Sequence, residues 1–314
     1  MGVFVFLPLL FPLTAMPVAR LAEQHLHPRL ATRLLTALAV VLALCSTLCL
    51  VLLVVVGTAQ LPGNPLPDAW SDPEVRAAVP YDEVAGRAGI LVLGAVAVAC
   101  AATLRRHRAV HRAAHRALTG LPGPDAASDV AVVPDPDPYA YALPGAPRGR
   151  VVVSTGMLDS LDARERGALL AHERAHLAGR HHRFLLAVRL AARANPLLRP
   201  LQGAVAYTAE RWADEEAARA LGDRRAVARA IGRAALVSRG TPLPVLTGFA
   251  APGPVPRRVA ALLGPAPADR TWPPASTVVG LAVWTAAMGA AGSALSSANA
   301  TVTLFLVLKA ATAL

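Results

Sequence analysis

The sequence predicts a mainly α membrane protein, with about four transmembrane helices and one polar α+β region between the third and the fourth. Three observations carry that prediction. Hydrophobic residues make up 54% of the chain and charged ones only 16%, which is too apolar for an ordinary soluble domain. Long apolar runs recur at 3–19, 34–56, 88–104 and 277–295. The polar stretch between the last two runs carries short strand-like segments and then helical periodicity.

The run from Val3 to Ala19 contains Pro8, Pro12 and Pro17. It lacks a basic leader and a small-residue cleavage site, so it reads as a short, Pro-bent span rather than a signal peptide. Leu34 to Val56 is almost unbroken and long enough to cross. Residues 58–87 form an acidic, Pro-rich external loop that includes Asp68, Asp72, Glu74, Asp82 and Glu83. Ala88 to Leu104 is rich in Gly and Ala, which favours close helix packing, and it completes a membrane unit over 1–104.

Residues 105–120 follow as a basic juxtamembrane helix, with Arg105, Arg106, Arg108, Arg112 and Arg116 around His107, His111 and His115. Basic flanks stay inside, so the N-terminus is expected outside and the region after Leu104 inside. The four-residue spacing of those histidines would suit a metal stripe, but the surrounding arginines favour contact with anionic membrane lipid. The net charge of +11 is almost all arginine, Lys309 being the only lysine. No basic motif interleaved with aromatics is present, so direct nucleic-acid binding is not expected. Cys45, Cys49 and Cys100 all fall inside apolar runs, which leaves no thiolate ligand for the polar region.

Within residues 121–270, the stretch 121–147 reads as loop, with Tyr139–Gly145 as one short strand and Val151–Ser154 as another. Asp162 followed by Glu165 makes a capping box, opening a helix that could run to Asn195, where Pro196 stops it. His172 and His176 lie four apart on one face of that helix. The spacing lets both rings reach one zinc ion, and Glu173 beside them can take a proton from water activated there. His181 and His182, five and six residues beyond His176, point elsewhere on a continuous helix and are not counted as ligands. Phe184 to Leu198 alternates leucines with arginines, as a helix lying on the bilayer surface does.

Downstream, Glu210 and Asp214 share a helix face. One carboxylate can complete the metal set while the other accepts the second ring N–H of a ligand histidine. This helix should end near Gly222, with Asp223 capping another to about Arg239. A Pro/Gly-rich loop then leads to Arg257-Arg258. The last unit, 276–314, is a fourth span followed by Thr301–Leu314, short and carrying Lys309, which is expected at the interface.

His172-Glu173-x-x-His176 followed by Glu210-x-x-x-Asp214 resembles the gluzincin metallopeptidases. The fuller strings Leu170–Leu177 and Glu210–Glu215 resemble the membrane peptidases related to the beta-lactam sensor-transducers BlaR and MecR, and more distantly the CAAX prenyl endoprotease family. The resemblance implies a zincin-like α+β peptidase domain on the cytoplasmic side of a bacterial inner membrane. It implies zinc held by His172, His176 and Glu210, Asp214 orienting a ligand histidine, and Glu173 as general base. By the same resemblance the sheet edge at Tyr139, Tyr141 and Leu143 holds extended substrate, and Arg258 lies near the metal to steady a developing oxyanion. The expected activity is zinc-dependent cleavage of a cytoplasmic protein, a transcriptional repressor being the leading type. Two other readings use the same residues: a signalling receptor with an inactive peptidase domain, and a membrane scaffold with a structural zinc. Intact Glu173 weighs against both, because neither needs a base. The beta-lactam sensors carry a penicillin-binding domain after the fourth span and this sequence ends without one, so antibiotic sensing by that route is not expected.

Overall fold

A computed structural model describes residues 2–64, 66–73, 75, 82–118, 129–145, 149–238, 255–267 and 276–312. The loops expected at 121–128 and 240–254, and parts of the 58–87 loop, lie outside these residues.

Among the described residues three helices are long and apolar enough to cross a membrane: α3 (Pro28–Ala59), α4 (Asp82–Ala117) and α11 (Val278–Thr312). The first apolar run is not a fourth such helix. It is broken into a 3-10 turn Gly2–Val5, α1 (Leu7–Leu10), a second 3-10 turn Phe11–Thr14, and α2 (Ala15–His25). Prolines remove backbone donors and strand carbonyls, and side chains from other helices take those carbonyls up. Ser46 of α3 donates to the Pro8 carbonyl at 2.8 Å, Asn195 to that of Leu9 at 3.2 Å, and Ser296 of α11 to that of Phe4 at 2.7 Å.

Two expected boundaries also shift. The basic stretch and Asp82–Arg87 belong to α4, one continuous helix rather than loop, span and separate juxtamembrane helix. The tail from Thr301 continues α11 to Thr312 rather than forming a separate segment, because nothing between Leu295 and Thr301 interrupts the helix. Helices α3 and α4 approach closely where Gly57 meets Gly86; a methyl on either would run into the other's backbone.

The polar region holds a three-stranded sheet of order β1-β3-β2, with β1 (Val130–Val133), β2 (Ala140–Leu143) and β3 (Arg150–Ser154). β1 lies in the stretch expected to be loop; it pairs parallel to β3, a long-range contact that its short length before Pro134 does not announce. β2 pairs antiparallel to β3 and forms an edge. Then come α5 (Thr155–Ser160), α6 (Ala163–Ala178), α7 (His181–Ala194), α8 (Arg199–Leu221), α9 (Arg224–Val237) and α10 (Val255–Leu263). The Asp162–Glu165 capping box opens α6, Gly222 ends α8 in the left-handed conformation, and the Asp223 carboxylate caps α9.

The long helix expected from Asp162 to Asn195 is two helices. It breaks at Gly179-Arg180, where Arg180 takes φ 52°, and the chain turns back before α7. Nor does α7 simply lie on a surface. Val188 and Ala191 share one buried cluster with Leu35 and Leu42 of α3 and Leu201 and Val205 of α8. Thr32 of α3 donates to Thr208 of α8 at 3.0 Å within that seam. The helices around the candidate site are thus built directly onto the N-terminal half of α3.

Candidate metal centre

Helix α6 presents His172 and His176 one turn apart, and α8 crosses it so that Glu210 faces both. His172 Nε2 and His176 Nε2 are 3.1 Å apart, and the Glu210 carboxylate oxygens lie 3.5 and 3.4 Å from them. A tetrahedral ion with ligand bonds near 2.0–2.1 Å separates its ligand atoms by about 3.4 Å. Three donors of the right chemistry at that mutual spacing fit zinc, and theirs is the only such group of three among the described residues.

Charge around the three donors is balanced within the protein. Asp214, one turn after Glu210 and fully buried, places Oδ1 3.0 Å from His172 Nδ1. Arg258 of α10, only 6% exposed, gives Asp214 two hydrogen bonds, from Nε at 2.9 Å and Nη2 at 2.6 Å. Its third nitrogen, Nη1, lies 2.8 Å from Glu210 Oε2. Burial alone would raise Glu210, but Arg258 and the two imidazoles hold it well below the usual carboxylate range. Burial opposes a charge on His172, yet Asp214 and Glu210 outweigh it and lift the ring to about 10. His176 is pushed down to about 4, mainly by burial.

Glu173 lines a largely apolar cleft of about 300 Å³ beside these groups. Loss of water around it raises its carboxyl to about 7, with His172 pulling it down and Glu210 pushing it up. The Ala142 backbone faces this carboxylate and favours its charged form, and Ala140 and Ala142 of β2 line the cleft with Glu173. The residue after Glu173 anchors the other side of α6: Arg174 makes paired 2.7 Å bonds to Asp129, just before β1.

Residues 101–193 match the family model described as Peptidase family M48. The match takes in the basic end of α4, the sheet, α5, α6 and nearly all of α7, with His172, Glu173 and His176 inside it. Glu210, Asp214 and Arg258 lie beyond its end. No curated protein and no solved structure matches the chain.

The structure brings together His172, Glu173, His176, Glu210, Asp214 and Arg258. It distributes Tyr139, Tyr141 and Leu143 differently. Tyr139 and Tyr141 line the cleft, whereas Leu143 is buried under the sheet with Val152. Their main-chain groups face β3. Ser154 N–H donates to the Tyr139 carbonyl, so Tyr139, Tyr141 and Leu143 pair inward with β3. The backbone groups of Ala140 and Ala142, half a period out of step, point to the open edge.

His181 is the residue the sequence reading set aside. Its Nδ1 lies 2.8 Å from His176 Nδ1, and its ring packs on Trp212 with centroids 4.5 Å apart. The offset from His176 would turn it away only on an unbroken helix. The left-handed Arg180, which costs about 1–2 kcal/mol for a residue with a Cβ, turns it back instead. Gly179 permits this, since a methyl there would run into the His181 ring. Gly179 was the signal available beforehand, as glycine commonly marks a helix end.

Proposed function

We propose that the protein is a membrane-bound, zinc-dependent endopeptidase that hydrolyses a peptide bond in a flexible segment of a cytoplasmic protein. The observation that carries this reading is the convergence of His172, His176 and Glu210 at tetrahedral spacing with Glu173 alongside. The M48 match over the helix bearing the first two ligands supports the same class. Zinc held there would supply Lewis-acid polarisation of water and of the scissile carbonyl.

The chain's own groups do the rest. Glu173 accepts the proton of the attacking water and returns it to the leaving amine. Its carboxyl near 7 without metal is well matched to that traffic. Asp214 holds His172 in orientation, and Arg258 holds both Asp214 and Glu210. An extended substrate adds to β2 through the outward groups of Ala140 and the Ala142 carbonyl, which sets its backbone alongside Glu173. With its donors engaged on two carboxylates, Arg258 serves as a clamp on the ligand set, and it steadies an oxyanion only if those bonds rearrange.

The cleft is lined by His107 and His111 of α4, and Arg29 and Arg33 at the start of α3 lie over Trp212, which packs on His181. Those basic ends favour the cytoplasmic face. Reporters fused near Asp72 should therefore behave as external and those near Ala126 as cytoplasmic. By its resemblance to the beta-lactam sensors, the leading target type is a transcriptional repressor. The decisive experiment uses Glu173→Gln as a trap: it should keep about one zinc per chain, hold substrate and leave it uncut. Mapping the bond that the wild type cuts should find a hydrophilic linker. A metal-free wild type, a fully active Glu173→Gln, or a cut deep in an apolar span would overturn the reading.

A further inference from the structure

We infer that His181 is a positioning residue for the metal centre, the hydrogen-bond acceptor that decides which nitrogen of His176 faces the ion. The inference rests on the reading of His172, His176 and Glu210 as zinc ligands. His176 directs Nε2 at His172 Nε2 and Glu210, so that nitrogen must offer a lone pair. The proton of a neutral His176 then sits on Nδ1, which is 2.8 Å from His181 Nδ1. Two protons cannot share that gap. His181 accepts through its Nδ1 lone pair and carries its own proton on Nε2.

The surroundings hold His181 in this role at a cost. It is 1% exposed, wedged edge-on to His176 and against Trp212, in the space that Gly179 leaves by having no side chain. Its Nε2 is buried and has no hydrogen-bond partner among the described residues. A residue kept for packing alone would be apolar here, since an unmet buried donor destabilises the fold. What the imidazole provides instead is an acceptor aimed at the outer nitrogen of a ligand. Metal-binding histidines generally have such a partner, most often a carboxylate, carbonyl or water. Here it is a neutral ring.

The test measures zinc affinity of the full-length protein in detergent by competition with a chromophoric chelator, together with thermal unfolding of the metal-free forms. Three proteins are compared: wild type, His181→Leu and His181→Asn, whose amide oxygen can occupy the place of the Nδ1 acceptor. His181→Leu should bind zinc about 10–100-fold more weakly, while its metal-free form melts no lower than wild type. His181→Asn should recover most of the affinity. Should the leucine variant fail to fold, the asparagine variant and Gly179→Ala, which displaces the ring without changing it, give the same comparison. Undiminished affinity in His181→Leu, or equal weakening in the leucine and asparagine variants, would overturn the inference while leaving the zinc site standing. A wild type that takes up no zinc would instead overturn the proposed function.

Discussion

Around His172 the metal centre is ionic, with Asp214 and Arg258 behind the ring and Glu210 in front of it. Behind His176, whose other nitrogen also faces Glu210, it is aromatic: His181, then Trp212, then Phe184. Both sides hang on α8, which turns Asp214 toward α10 and Trp212 toward α3. Arg29 and Arg33 of α3 lie over the Trp212 ring at 5.6 and 5.4 Å. The ionic side is thus tied to the last helix of the polar region, and the aromatic side to a helix apolar enough to span the membrane. The difference teaches which side carries stability. Buried charges must be compensated in full or the fold suffers, whereas a ring stack tolerates a change of ring.

The largest effect expected falls on both sides at once. His172→Ala or Glu210→Ala removes a ligand, and metal analysis after dialysis should find the zinc lost and cleavage abolished. Next comes the ionic side alone. Arg258→Met leaves two buried carboxylates without their cation and should lower stability by about 3–5 kcal/mol in thermal or denaturant unfolding. Trp212→Phe on the aromatic side keeps the stack but loses the indole donation to Glu216 at 3.1 Å, and should cost about 1 kcal/mol. A larger loss from Trp212→Phe than from Arg258→Met would reverse the comparison.

The pH dependence of metal uptake sharpens it further. Asp214 and Glu210 raise His172 to about 10 against the effect of burial, so the metal-free ring is protonated at neutral pH. Binding must expel that proton. Zinc affinity should therefore climb about tenfold per pH unit from neutrality toward 10 and level off above it. His176, held neutral, adds no such slope. A flat chelator titration between pH 7 and 9 would show that the ionic side does not load His172 with a proton. The smallest effect belongs to a contact remote from both sides: Asp162→Ala breaks the α6 capping box, costing about 1 kcal/mol without changing zinc affinity.

Much of this was present in short-range pattern. His172 and His176 share a face because the helix repeats every 3.6 residues, and Glu210 and Asp214 do so for the same reason. The Asp162–Glu165 box, the Gly222 stop and the Asp223 cap are satisfied by residues three or four positions away, so the chain announces them locally. The unbroken apolar run in α3 is likewise a property of one segment.

What only the tertiary structure decided depends on where a turn aims the chain and on what comes alongside. One left-handed residue, Arg180, separates a histidine that points away from one that braces a ligand, and helical offsets cannot be carried across such a break. Strand register assigns the open edge of β2 to Ala140 and Ala142 rather than Tyr139 and Tyr141, because a shift of one residue exchanges inward and outward backbone groups. The proline-rich N-terminal run reads as a span by hydropathy, yet its carbonyls are held by Ser46, Asn195 and Ser296, residues that only folding brings near. Arg258 was legible as an arginine after a loop; that its donors meet Asp214 and Glu210 follows from α10 packing on α8, a contact spanning more than forty residues of chain.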